Sequence, residues 1–171
     1  MARSKKEKQE DCEVAEIFEK KVKDFYKENV TNKTFKIFSP KDVLKDWWSP
    51  SFDLREGDLW LTYTTSNFEN FLKRIDVKHN GWISARSIHN FAGDENHFYL
   101  IWNDKAELSY IVPGRAVSKL YTSFEEEEGC SFIKKLPNSD DLGFNLNDFN
   151  KLYGFRSKIM LLKDVENINT I

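Results

Sequence analysis

Between residues 96 and 112 large apolar side chains fall on alternate sides of the chain. Phe98, Leu100 and Trp102 point one way, Tyr99 and Ile101 the other, and a polar stretch, Asn103, Asp104, Lys105 and Ala106, separates this run from Glu107 to Val112. Aromatic, β-branched and leucine residues at period two, interrupted by a short polar turn, predict a β-hairpin. Both faces of its first strand are apolar, so each must be covered. The hairpin is therefore expected at the centre of the fold.

The rest of the chain adds elements around it. Val14, Ile17, Phe18, Val22, Phe25 and Tyr26 recur at three- and four-residue spacing, which predicts an amphipathic helix over 11–29, with Glu16 to Lys20 and Glu19 to Lys23 pairs on its wet side. Thr34 to Phe38 reads as a short strand, and Ser39-Pro40 as the start of a helix through Trp47. Leu59 to Thr64 alternates as a strand. Ser66 and Glu69 resemble a capping box opening a helix from Asn67 to Ile75, with Phe68, Phe71, Leu72 and Ile75 at helical spacing. Trp82 to Ile88 reads as a strand, Ala116 to Phe124 as a helix and Ser131 to Leu136 as a strand. Phe144 to Tyr153 reads as a helix with Asn145 as its cap and Gly154 as its stop, and Phe155 to Leu162 as a closing strand. The expected fold is α+β: one mainly antiparallel sheet, able to curl into a small barrel, with short flanking helices and the N-terminal amphipathic helix. Residues 1–10 read as a flexible basic lead-in, and 11–165 as a single globular domain.

Composition narrows the function classes. A formal charge of -2 gives no global pull toward nucleic acid or acidic lipid, so any such contact must be local. Aromatics reach 15%, more than a minimal core needs, which suggests that some rings serve a binding surface. Cys12 and Cys130 are isolated, the N-terminus has no apolar signal region, and no apolar run is long enough to span a bilayer. These features point to a cytoplasmic or nuclear protein that is not embedded in a membrane.

No residue string is tied to a specific chemistry. His79, His89 and His97 lack metal-ligand spacing and read as structural or surface histidines. Neither cysteine has the surroundings of a thiolate, no serine sits in a G-x-S-x-G turn, and no cofactor or metal is indicated. What remains is a concentration of tryptophans and basic residues in the middle third. Aromatic faces beside guanidinium groups suit an unstacked base and its phosphates. The candidate ligand-binding residues are therefore Trp48, Trp60, Tyr63, Trp82, Arg55, Arg74 and Arg86.

A small curled sheet with a tryptophan-lined pocket is similar in architecture to PUA-like modules, which implies contact with RNA, DNA or a base. The segment Phe91 to Tyr110, with YTSFEEE after it, resembles a class of immunity and scaffold proteins, which implies a protein partner. Leu59 to Arg74 followed by Asn96 to Tyr110 resembles the ADP-ribosyltransferases in order and spacing. That resemblance implies an NAD-using enzyme with Tyr63 and Tyr99 at the nicotinamide and one of Glu125 to Glu128 at the ribose. The leading reading is a nucleic-acid-associated binding module, the alternative a protein-interaction, immunity or inhibitor module, and the third an ADP-ribosyltransferase-like enzyme. Oligomeric state is left open.

Overall fold

The computed structural model describes residues 4–29, 34–47, 49, 56–136, 140–153, 160–162 and 164. In chain order the elements are α1 (Lys5–Asn29), β1 (Lys36–Phe38), α2 (Pro40–Leu44) with a 3-10 turn (Lys45–Trp47), β2 (Leu59–Thr64), β3 (Asn70–His79) and β4 (Trp82–Ser84). They continue as α3 (Ala85–Phe91), β5 (His97–Asn103), β6 (Lys105–Pro113), α4 (Gly114–Glu126), β7 (Lys134–Lys135), β8 (Leu142–Asn145), α5 (Leu146–Tyr153) and β9 (Met160–Leu161).

Six strands form the main sheet in the order β1-β2-β3-β5-β6-β9, and β4-β8-β7 form a small second sheet. The predicted hairpin is β5 and β6, paired antiparallel, with Asp104 at φ 62° in the turn between Asn103 and Lys105. β5 lies inside the sheet between β3 and β6, and its first six residues are all buried. Both faces are covered as the alternation required. Phe98, Leu100 and Trp102 join Leu59, Leu61, Tyr63, Ile75 and Ile111 under Val22 and Tyr26 of α1. Tyr99 and Ile101 join Tyr110 and Val112 under Ile88 of α3 and Val117, Tyr121 and Phe124 of α4. Phe144 and Leu146 extend this second cluster, and Phe124, Phe132 and Phe149 pack ring against ring at its far end.

The largest departure from the sequence reading is at Asn67 to Ile75. No helix forms there. Thr65 to Glu69 makes a turn in which Phe68 N–H donates to Thr65 O, Glu69 N–H donates to Thr65 Oγ1, and Phe68 takes φ 62°. The chain then runs back as β3, antiparallel to β2 and parallel to β5. Two flanking strands give the backbone more hydrogen bonds than an isolated helix of two to three turns could, so tertiary pairing overrides the local spacing.

Other differences are smaller. The sheet does not close into a barrel: β1 and β9 stand at opposite edges, three and two residues long, and among the described residues each pairs only inward. The strand expected over Trp82 to Ile88 ends at Ser84, whose Oγ accepts from Ser87 N–H and starts α3. The strand expected over Ser131 to Leu136 shrinks to Lys134–Lys135. α1 begins at Lys5, N-terminal to the apolar stripe. Asn145 does cap α5, its Oδ1 accepting from Asn147 N–H at 2.9 Å. Of the predicted closing strand only Met160–Leu161 is seen to pair, with β6. Gly154, the expected helix stop, lies outside the described residues.

Leu100 is wholly buried at the sheet centre. Leu100→Ala is expected to cost about 2–5 kcal/mol in urea unfolding. Trp47→Ala, at a ring 82% exposed, is expected to change stability by less than about 0.5 kcal/mol.

Candidate functional site

The strongest polar constellation follows from the strand that the sequence disguised. On β3, Phe71, Lys73, Ile75, Val77 and His79 face α1, as shown by Lys73 Nζ over the Phe71 and Phe98 rings and Phe18 stacked on His79. By alternation Leu72, Arg74, Asp76 and Lys78 face the other side. β2 begins at Leu59, opposite Ile75, so β3 runs on beyond it through Asp76, Val77, Lys78 and His79. Gly57 turns the incoming chain at φ +72°, close enough that a Cβ would stand 3.0 Å from Ile75 O and 3.4 Å from Asp76 Oδ1. Only glycine combines that backbone with so close an approach. The next residue, Asp58, donates its N–H to Ile75 O at 3.0 Å, and its Oδ2 accepts from Val77 N–H at 2.7 Å.

Asp58 and Asp76 thus meet where β2 gives out, with Lys78 two residues along the same strand. Asp76 Oδ2 accepts from Ser87 Oγ at 3.0 Å and lies 3.4 Å from Lys78 Nζ. It also lies 3.8 Å from Nε2 of the buried His97, an electrostatic distance rather than a hydrogen bond. Asp58 and Lys78 are half-buried, so the group reaches solvent through them.

Two carboxylates in one desolvated place cannot both ionise freely. Burial, then the Asp76 charge, push the Asp58 carboxyl up to about 8; Glu19 adds to the push, and Lys78 and the Val77 amide oppose it. Burial also pushes Asp76 up, but Lys78, His97 and Ser87 together outweigh it and hold that carboxyl well below the usual range. Burial alone would lower Lys78, yet Asp76 and Asp58 raise it above an ordinary ammonium. At neutral pH the arrangement is one anion, one cation and one carboxylic acid that releases its proton to water when a positive charge arrives to stabilise the carboxylate. A pair of titratable groups driven apart in this way is a signature of functional sites.

Of the seven residues expected to bind ligand, the five that the structure describes are scattered. Trp60 and Arg74 are opposite one another in register on the face that carries Asp76, immediately beside it. Trp60 Nε1–H donates to Glu56 O at 3.1 Å, and Arg74 pairs with Glu56 at 3.0 Å and Asp94 at 3.4 Å, so its charge ties two loops together. Tyr63 is on the opposite face, stacked between Phe35 and Phe71. Trp82 belongs to the small sheet, and Arg86, 75% exposed, stands on α3 with Asp141 3.9 Å away. Trp48 and Arg55 lie outside the described residues. Tyr63 and Tyr99, paired by the ADP-ribosyltransferase resemblance, are on opposite faces of the sheet, and Glu125 to Glu128 are exposed around the end of α4.

Asp58 and Asp76 were not singled out, because the helix read over 67–75 stops short of Asp76 and hides that the chain continues there as a strand beside Asp58. The available signal was the period-two series Arg74, Asp76, Lys78 against Ile75 and Val77.

No protein-family model matches the chain, and no curated protein does. Among solved structures it is similar to D212, a nuclease from a fusselovirus, with a TM-score of 0.37 and 10% identity over 99% of this chain and 98% of that one. Similarity at that level establishes neither a shared fold nor a shared activity. No helix among the described residues is long and apolar enough to cross a membrane.

The electrostatics predict a pH signature. Between the ordinary 3.8 and about 8 the folded protein holds the Asp58 proton and the unfolded chain does not, so this group lowers stability as pH rises through that window. Asp76 acts oppositely: its contribution is present above 3.8 and is lost in acid. Asp58→Asn, which keeps an acceptor for Val77 N–H, should melt above the parent protein at about pH 8 and close to it near pH 4. Melting curves that stay parallel across that range would assign the proton elsewhere.

Proposed function

We propose that the protein acts on nucleic acid, and that the Asp58, Asp76 and Lys78 face performs cation-assisted hydrolysis of a phosphodiester bond. The observation that carries this reading is the meeting of two carboxylates and an ammonium group where β3 outruns β2, with the Asp58 carboxyl pushed up by burial and by the Asp76 charge. Among the described residues no three His, Cys, Asp or Glu side chains form a metal cage. The fitting cation is therefore one such as Mg²⁺, held by one or two carboxylates and otherwise by water and substrate oxygens. Bound there, it supplies neutralisation of phosphate charge and a more acidic water.

The protein's own residues supply the rest. Asp58 and Asp76 fix the position of the positive charge. Lys78 stands 3.4 Å from Asp76 and is held charged by both carboxylates, so it offsets the negative charge that builds on phosphate oxygens. Water adds to phosphorus and one P–O ester bond breaks, leaving a phosphomonoester and an alcohol. Trp60, half-buried beside Arg74 on the same face, offers a ring for base stacking, and Lys78 and Arg86 offer phosphate contacts. Tyr63, on the opposite face, and Trp82, in the small sheet, are assigned no part in this site.

A protein-interaction role has separate support in Trp47 and Val43, which expose 82% and 52% of their surface on neighbouring turns. Large apolar side chains left this exposed are available to a partner surface.

The test is a cleavage assay on single- and double-stranded DNA and RNA with Mg²⁺ or Mn²⁺. Asp76→Asn and Lys78→Ala are each expected to lower the rate roughly 10²-fold or more while leaving the fold intact. Trp60→Ala is expected to weaken salt-sensitive binding by about 1–3 kcal/mol with little effect on the chemical step. Salt-sensitive binding without cleavage of any substrate would reduce the reading to a nucleic-acid-binding module, and absence of both would overturn it.

A further inference from the structure

Asp76 uses its two oxygens differently. Oδ2 carries the contacts to Ser87 Oγ (3.0 Å), Lys78 Nζ (3.4 Å) and His97 Nε2 (3.8 Å). Oδ1 faces Gly57, on the side from which Asp58 enters. Ser87 is itself fixed twice: its N–H donates to Ser84 Oγ at 3.2 Å, and its hydroxyl lies 2.9 Å from Tyr99 Oη. The inner side of the carboxylate is therefore built by residues of α3 and β5.

His97 is the second unusual group. Its ring is 1% exposed, lies flat on Phe91 with centroids 3.8 Å apart and meets Tyr99 edge-on at 4.6 Å. Neither ring nitrogen has a hydrogen-bond partner among the described residues. The first residue of α4 is a glycine, and any Cβ there would stand 2.3 Å from Nδ1. The fold thus keeps a slot for an imidazole whose Nε2 is aimed at Asp76, within roughly 1 Å of hydrogen-bond distance. A phenylalanine would fill the same space with no unmet polar atoms, so packing alone does not account for the histidine.

We propose that Ser87 and His97 are positioning residues for Asp76, holding Oδ2 inward so that Oδ1 is the oxygen presented toward Asp58 and a cation between them. The inference rests on the cation-assisted reading above and extends it to two residues that touch neither cation nor phosphate. Outer partners of this kind orient a ligating carboxylate, and their loss commonly weakens metal affinity 10- to 100-fold.

The experiment is Mn²⁺ calorimetry on the full chain and on Ser87→Ala, Ser87→Thr and His97→Phe. Each variant is also checked by thermal melting and by binding to a DNA oligonucleotide in chelator. Ser87→Ala and His97→Phe are expected to weaken Mn²⁺ binding about tenfold or more, Ser87→Thr to restore most of it, and metal-free DNA binding to stay level. Should His97→Phe fail to fold, the Ser87 pair decides. Unchanged Mn²⁺ affinity in folded Ser87→Ala would overturn the positioning role while leaving the Asp58 and Asp76 site intact. Equal losses of Mn²⁺ and metal-free DNA binding would make the role merely structural and would also overturn it. Failure of the parent protein to bind Mn²⁺ would remove the cation-assisted reading and this inference together.

Discussion

The parallel pairing of β3 with β5 is the constraint from which the rest of the architecture follows. Two parallel neighbours cannot be joined by a tight turn, so the chain after His79 must cross one face of the sheet before re-entering it at His97. β4 and α3 make that crossing, and α3 comes down over the same face as Asp76 and Tyr99. Ser84 ends β4 and caps α3, which fixes where the helix begins and hence where Ser87 stands. The polar contacts of Asp76 are in this sense a consequence of strand direction. Had β3 paired antiparallel to β5, no crossover helix would be required there.

The pairing also explains why charge survives in this part of the fold. Burying a carboxylate is costly unless a partner charge and hydrogen bonds replace water, and well-packed apolar residues usually serve stability as well or better. Asp76 has Lys78, Ser87 and the neighbouring His97, so its ionised form is strongly favoured. Asp58 has one backbone N–H and a lysine it must share, and burial dominates it. The two carboxyls sit on adjacent chains and differ only in what surrounds them, and those surroundings push their proton affinities in opposite directions. An arrangement serving stability alone would gain by neutralising Asp58 permanently. Keeping a titratable group there is what a site receptive to positive charge requires.

How much of this was legible in the sequence depended on period. β5 and β6 were plain because alternation of bulky apolar residues at period two fits no helix, and β2 was plain for the same reason. α1 and α4 followed from apolar stripes at three- and four-residue spacing. β3 was misread because Phe68, Phe71, Leu72 and Ile75 satisfy helical spacing by accident, Phe68 being an exposed turn residue that packs on nothing in the core. The error concealed the site as well as the strand. A helix ending at Ile75 leaves Asp76 and Lys78 in a connection with no defined face, whereas on the strand that forms they share one. The role of Asp58 was equally hidden, since it depends on where β2 stops relative to β3, a matter of register across strands and not of local composition.

The aromatic residues teach the complementary lesson. Their abundance suggested rings spilling onto a ligand groove, yet Tyr99, Tyr121 and Phe144 are sealed in the core, Trp102 is buried, and Tyr63 is clamped between Phe35 and Phe71. The surplus fills two core layers, one on each face of a sheet whose central strand is buried on both sides. Of the ligand-binding tryptophans proposed from sequence, Trp60 stands on the face that carries Asp76, and even there its indole N–H is committed to Glu56 O. Aromatic count therefore measured how much core a doubly covered sheet needs. What marks the candidate site is the gathering of ionisable groups where β3 runs on beyond β2, one of them, Asp76, buried where packing alone would have placed valine or leucine.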